Sequence, residues 1–141
     1  MKQVAFVDAD IFIRYLTNNE PLKHQAYLSL FKQAEANQIA LTTSESVIAE
    51  VVSVLSSCKH YGLSRKQIQF ALSRLLLLLG FQMLNHGVLL RALGLYAQHA
   101  LDFEDCLTVI YIERDRVNKL YSYGQEFDRF NTIRCQKPEA Q

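Results

Sequence analysis

The chain has 141 residues, of which 50% are hydrophobic and 21% charged, with a formal net charge of +1. A single domain over residues 1–141 fits this length, and such a chain buries a core without cross-links. The composition excludes disorder, and the near-neutral charge does not advertise a protein that grips phosphate backbones nonspecifically.

The longest apolar run, Leu75 to Phe81, falls far short of the roughly 20 residues that span a bilayer, so no membrane association is expected. The run from Val4 to Val7 is too brief for a signal peptide and is broken by acids, which predicts a cytoplasmic protein. Cys58, Cys106 and Cys135 lack CxxC spacing and are odd in number, which predicts reduced thiols in the core.

Gln3 to Val7 is β-favouring and stops at Asp8-Ala9-Asp10, the pattern of a central parallel strand buried on both faces. Pro21 opens a helix with apolar positions Leu22, Ala26, Leu30 and Phe31, fading near Asn37. Ile39 to Thr42 is a second strand. Thr43 or Ser44 caps a nearly all-apolar helix through Cys58, and Ser64 caps another from Arg65 to Leu79, ended by Gly80. Apolar residues from Ile68 to Leu79 exceed what one core face needs; the excess is either a partner site or buried between helices.

Phe81 to Leu84 reads as a third strand, Asn85 to His99 and Asp102 to about Arg116 as helices, and Lys119 to Tyr123 and Thr132 to Cys135 as the last strands. Alternating strands and helices predict a parallel α/β sheet covered on both faces, with its working site beyond the carboxyl ends of the strands. No Gly-rich phosphate loop is present. The histidines His24, His60, His86 and His99 are scattered and read as surface or capping residues.

Asp8 and Asp10 follow the first strand directly, where they either cap and solvate a turn or share a cation. Glu50 is the only charged residue between Ser46 and Cys58; it is either exposed or, if buried, met by positive charge. Asp102-Phe103-Glu104-Asp105 opens a helix in near capping-box spacing, and Asp105 serves equally as cap or ligand. Asp8, Glu50 and Asp105 come from three separated elements that an α/β fold brings to one edge. An oxygen-only set suits Mg²⁺ or Mn²⁺, and such ions assist phosphodiester hydrolysis. Arg14, Lys23, Arg129 and Arg134 are candidate phosphate contacts, although ordinary solvated surface is the commoner role for any one such residue.

Four segments in order resemble the PIN-domain family. Val4-Ala5-Phe6-Val7-Asp8 through Arg14-Tyr15-Leu16 is similar to its opening motif, and Ser46-Val47-Ile48-Ala49-Glu50-Val51 to its second. Leu101-Asp102-Phe103-Glu104-Asp105-Cys106-Leu107 resembles the third, and the segment from Lys119 to Phe130 the closing strand and its Phe-Asp-Arg tail. The resemblance implies a three-layer α/β/α sandwich with a central, mainly parallel sheet. It also implies a Mg²⁺- or Mn²⁺-dependent endoribonuclease with Asp8, Glu50 and Asp105 as catalytic metal ligands and Asp102 as helper. For a stand-alone domain it implies a VapC-like toxin neutralised by a small antitoxin, commonly homodimeric.

Gly124 departs from the family, whose members commonly carry an acid there; the fourth ligand is then lost, or Glu126 or Asp128 supplies it. Loss makes a degenerate, non-catalytic module binding RNA or a protein the alternative. The Asp8-x-Asp10 opening also allows a haloacid-dehalogenase-like phosphatase, which Ile11-Phe12-Ile13 fits poorly.

Overall fold

A computed structural model describes residues 3–18 and 21–140. Strands and helices alternate as the pattern predicts: β1 (Val4–Phe6), α1 (Ala9–Thr17), α2 (Pro21–Glu35), β2 (Ala40–Thr42), α3 (Glu45–Ser56), α4 (Arg65–Leu76), α5 (His86–Gln98), α6 (Phe103–Arg114), β3 (Lys119–Tyr121) and β4 (Arg134–Gln136). A 3₁₀ turn over Glu126–Arg129, which nothing in the apolar periodicity announces, joins the last two strands.

The predicted caps form where the side-chain chemistry is local. Ser44 accepts from the Val47 N–H and starts α3. Ser64 and Gln67 close a reciprocal capping box at α4. Asp102 sits at the cap position of α6 but its side chain makes no capping bond, so the near capping box there is not realised.

The strand pairs are parallel, β1 with β2 and β3 with β4, and a single parallel bridge joins Leu41 to Phe81. This α/β arrangement of helices and parallel strands is the predicted class. Two details differ. β1 is not central: among the described residues it pairs with β2 alone, and Val4 and Phe6 are 53% and 59% exposed. An apolar run announces burial only if a neighbour covers it, and β3, its remaining strand candidate, pairs with β4 instead. The expected third strand shrinks to a bridge flanked by Leu41 N–H to Gly80 and Gln82 N–H to Leu41 hydrogen bonds of 2.7 and 2.8 Å.

Gly80 is required there for contact, not for ending a helix, because α4 already stops at Leu76. A Cβ on Gly80 would lie 2.9 Å from the Cα and carbonyl oxygen of Ala34 and overlap the Ile39 carbonyl. Its absence lets the chain leaving α4 press against the end of α2.

The main core runs between α1, α2, α3, α4, α5 and one side of α6. Phe12, Phe31 and Phe81 form its aromatic centre, with ring centroids 6.0 to 6.5 Å apart. A second, smaller core joins Val109 and Ile112 of α6 to Phe127 and Ile133 of the C-terminal segment. Helix α6 is thus apolar on two sides, and its central Cys106 is fully buried, with its thiol pushed up to about 11 by desolvation. Cys58, by contrast, is exposed, and Cys135 is half-buried, so only one of the three cysteines is the expected core thiol.

Phe12 has no exposed surface. Phe12→Ala should therefore lower unfolding free energy by about 3–5 kcal/mol, the cost of emptying a large aromatic site, read from the midpoint of urea unfolding.

Candidate active site

The carboxyl end of β1 is fastened to that of β2. The Val7 N–H donates to Thr42 and the buried Thr43 hydroxyl donates to the Val7 carbonyl, each at 2.8 Å. Asp8 follows directly and is exposed; its carboxylate accepts from the Ala9 N–H at 2.8 Å and caps α1. Asp10 is exposed in the first turn of the same helix, where acids are favoured by the helix dipole.

Glu50 is exposed on α3, so the cost of burying an unpaired carboxylate does not apply to it. It still faces a partner element: a cavity of about 540 Å³ between α3 and α6 is lined by Glu45, Ser46, Glu50, Ser53, Glu104 and Leu107 among others. An adjoining cavity shares Ala49, Ser53 and Glu104 and adds Arg65, Tyr96 and Asp102. The α3 stripe of Ser46, Glu50 and Ser53 thus faces Glu104, and Ser53 lines a cavity with Asp102 as well, whereas Asp105 lines neither cavity.

Those acids form the densest charge in the site. Asp105 is half-buried, and its carboxyl is raised above the usual range first by desolvation and then by the like charges of Glu126, Asp102 and Glu104. Glu126 reaches it from the 3₁₀ turn. A Cβ on Gly124 would overlap the Glu126 carboxylate, which lies in the space a side chain at 124 would take. Asp128, on the same turn, is exposed and is not among the charges acting on Asp105.

Two residues that the sequence pattern did not single out hold this region in place. One guanidinium nitrogen of Arg65, Nη1, faces the carbonyls of Tyr96, His99 and Leu101 at 3.1, 2.8 and 2.6 Å, and the group lies 4.2 Å from the Tyr96 ring centre. It gathers the end of α5 and the start of α6, fixing where the acidic turn points. The Tyr111 phenol donates to Glu45, and that bond raises its pKa. No periodicity marks either residue, because both act across elements distant in sequence.

The carboxylate donors suit a hard divalent cation in kind. Their placement is less complete: among the described residues no group of three or more His, Cys, Asp or Glu side chains is arranged to hold a metal ion. Asp102, Glu104, Asp105 and Glu126 are brought together; Glu50 shares a cavity with Glu104; Asp8 stands at its own strand end. Of the candidate cations, Arg129 lies on the turn that carries Glu126, within electrostatic reach of Cys106 on α6. Arg134 is exposed on β4, while Arg14 and Lys23 belong to α1 and α2. Among the histidines, His60 is exposed, His24 stacks on Tyr15, and His86 meets the Leu76 carbonyl through Nε2.

The family model described as PIN domain matches residues 5–132. No curated protein matches the chain.

The raised carboxyl of Asp105 carries a signed consequence. Because the folded chain holds this proton more tightly than the unfolded chain, native stability falls as pH rises above the unfolded value of 3.8 and levels off past the raised folded value. Asp105→Asn should therefore be more stable than the natural chain at pH 7, with the gap narrowing as pH falls to 3.8 and below. Urea unfolding at both pH values in chelator-treated buffer measures it.

Proposed function

Because the chain belongs to the PIN-domain family, we propose that it is a Mg²⁺- or Mn²⁺-dependent endoribonuclease, the toxin component of a toxin–antitoxin pair, working as one domain across residues 1–141. PIN domains are nucleases in general, so hydrolysis of a nucleic-acid phosphodiester is the coarse activity. The family match also leaves the phosphatase reading without support.

The observation that carries the reading is the acid cluster on the first turn of α6. Four carboxylates are kept together, three at the start of α6 and Glu126 on the 3₁₀ turn, and Asp105 is raised first by desolvation and then by these neighbours, a perturbation of the kind that clusters at functional sites. In this reading Asp8, Glu50 and Asp105 hold the ion, with Asp102 and Glu126 assisting. The ion, once bound, supplies Lewis acidity and lowers the pKa of an attacking water. The chain's own part is placement. Arg65 fixes the acidic turn, and Arg129 beside Glu126 offers a phosphate contact. Arg14, Lys23 and Arg134 extend the path for a longer RNA.

A protein partner is supported by the exposed apolar remainder of the α4 region. Phe70, Leu77 and Leu79 are 62%, 62% and 72% exposed, the excess that the sequence left open between burial and a partner site. A small antitoxin fits that role in a toxin, and a second copy of the chain is the competing occupant. Among the described residues no helix is long and apolar enough to cross a membrane.

The second reading, a non-catalytic module that binds RNA or protein, is favoured by Gly124 and by the incomplete gathering of the three ligands. Incubating labelled RNA with the protein and Mg²⁺ or Mn²⁺ separates the two. The nuclease reading expects metal-dependent cleavage that drops about 100-fold or more in Asp8→Asn and Asp105→Asn, as when a group worth several kcal/mol to the transition state is neutralised. Folded protein that cleaves none of several RNAs at any metal concentration points to the binding module instead.

A further inference from the structure

We propose that the outer face of the β3–β4 pair is a stacking platform for single-stranded RNA; its role as the approach to the acidic turn rests on the nuclease reading above. The two short strands run parallel, with Lys119 beside Arg134 and Tyr121 beside Gln136. Alternation along each strand sorts the side chains by face. Leu120 and Cys135 are half-buried, Leu120 against the second core, while Lys119, Tyr121, Arg134 and Gln136 are exposed. The Ser122 N–H donates to the Gln136 carbonyl at 3.1 Å, which carries the pairing one residue past β3 and leads into Tyr123.

Tyr121 and Tyr123 are 58% and 73% exposed, and each has a lysine over its ring. The Lys119 Nζ lies 5.1 Å from the Tyr121 ring centre, and the Lys137 Nζ lies 5.9 Å from that of Tyr123. Among the described residues Lys119, Arg134 and Lys137 pair with no acid. Cations without carboxylate partners, interleaved with exposed rings, call for phosphate and for flat apolar surface in the same ligand. A single strand of nucleic acid supplies both, because every base has a π face and every linkage a charge. A duplex does not, since its bases are stacked on one another and closed to a side chain. Local charge agrees: residues 116–137 hold five Arg or Lys against two acids, although the whole chain carries only +1.

The platform also has a direction. Tyr123 stands three residues before Glu126, whose charge acts on Asp105, and Arg129 lies on the same 3₁₀ turn as Glu126. An RNA lying across Tyr121 and Tyr123 therefore reaches the start of α6.

Fluorescence anisotropy with the full chain in EDTA, where nothing is cut, tests the platform apart from catalysis. The probes are a short labelled RNA without self-complementarity and the same RNA annealed to its complement. Tyr121→Ala and Tyr123→Ala should each weaken single-strand binding by about 5-fold or more, the scale of one base stacked on an aromatic ring, while Tyr121→Phe and Tyr123→Phe keep it. Lys119→Gln and Lys137→Gln should each reduce the slope of log affinity against log salt by about 0.7. The duplex should bind more weakly and with no dependence on the rings. Thermal melts check the fold of each variant, and the lysine variants decide the matter if an Ala variant unfolds.

Unchanged single-strand affinity in both Ala variants, or a duplex that binds as tightly as the single strand, would overturn the platform. No binding of the single strand by the natural chain would overturn it too. Metal-dependent cleavage with ring-independent binding would leave the nuclease without the platform. Ring-dependent binding by a chain that never cuts would keep the platform on a non-catalytic module and remove the nuclease reading.

Discussion

Helix α6 is buried from two sides, and most of what makes a site here follows from that. Phe103, Cys106, Leu107 and Ile110 pack into the main core while Val109 and Ile112 form the wall of the second. A helix so enclosed has little free face for charge. Three acids, Asp102 at the cap and Glu104 and Asp105 in the first turn, gather at its start, while Glu113 stands exposed in its last turn and pairs with Arg91. The helix dipole favours negative charge at the start, which offsets part of the repulsion that raises Asp105.

The same enclosure explains the C-terminal segment. β3 and β4 pair with each other, and Phe127 and Ile133 plug into the outer side of α6. The 3₁₀ turn is thereby held beside the acidic turn, which brings Glu126 to Asp105 although the two lie far apart in sequence. On the other side, Arg65 ties the end of α5 to the entry of α6 through three carbonyls. Charge-assisted hydrogen bonds of this kind resist small displacements. The acidic turn is fixed at its base by an arginine and along its length by two cores.

Local chemistry was legible in the sequence, and long-range pairing was not. Ser44 and Ser64 announced their helices because a cap and its partner lie three residues apart, and the four family motifs in order identified the fold. The partners of β1 could not be read, since an apolar strand looks the same whether or not its outer flank is covered. Gly80 looked like a helix stop because its real constraint, the backbone of α2 pressing on it, comes from 46 residues earlier at Ala34. Glu50 stood out as a lone charge in an apolar helix, yet periodicity alone could not tell an exposed stripe from a buried one; it is exposed and faces Glu104 across the α3 and α6 cavity.

Composition was least informative where the chemistry is concentrated. A net charge of +1 averages basic residues scattered over the chain with acids that the fold stacks at one helix start. What a nucleic acid or a cation meets is the local field, and that field is set by which side chains the fold gathers, not by the sum over the chain. A near-neutral protein thus builds a strongly negative turn, and any polyanion bound there must come with its own cation or be held by the arginine next to it. The position of Arg129 beside Glu126, on an element that no periodicity foretold, is the part of that balance that only folding supplies.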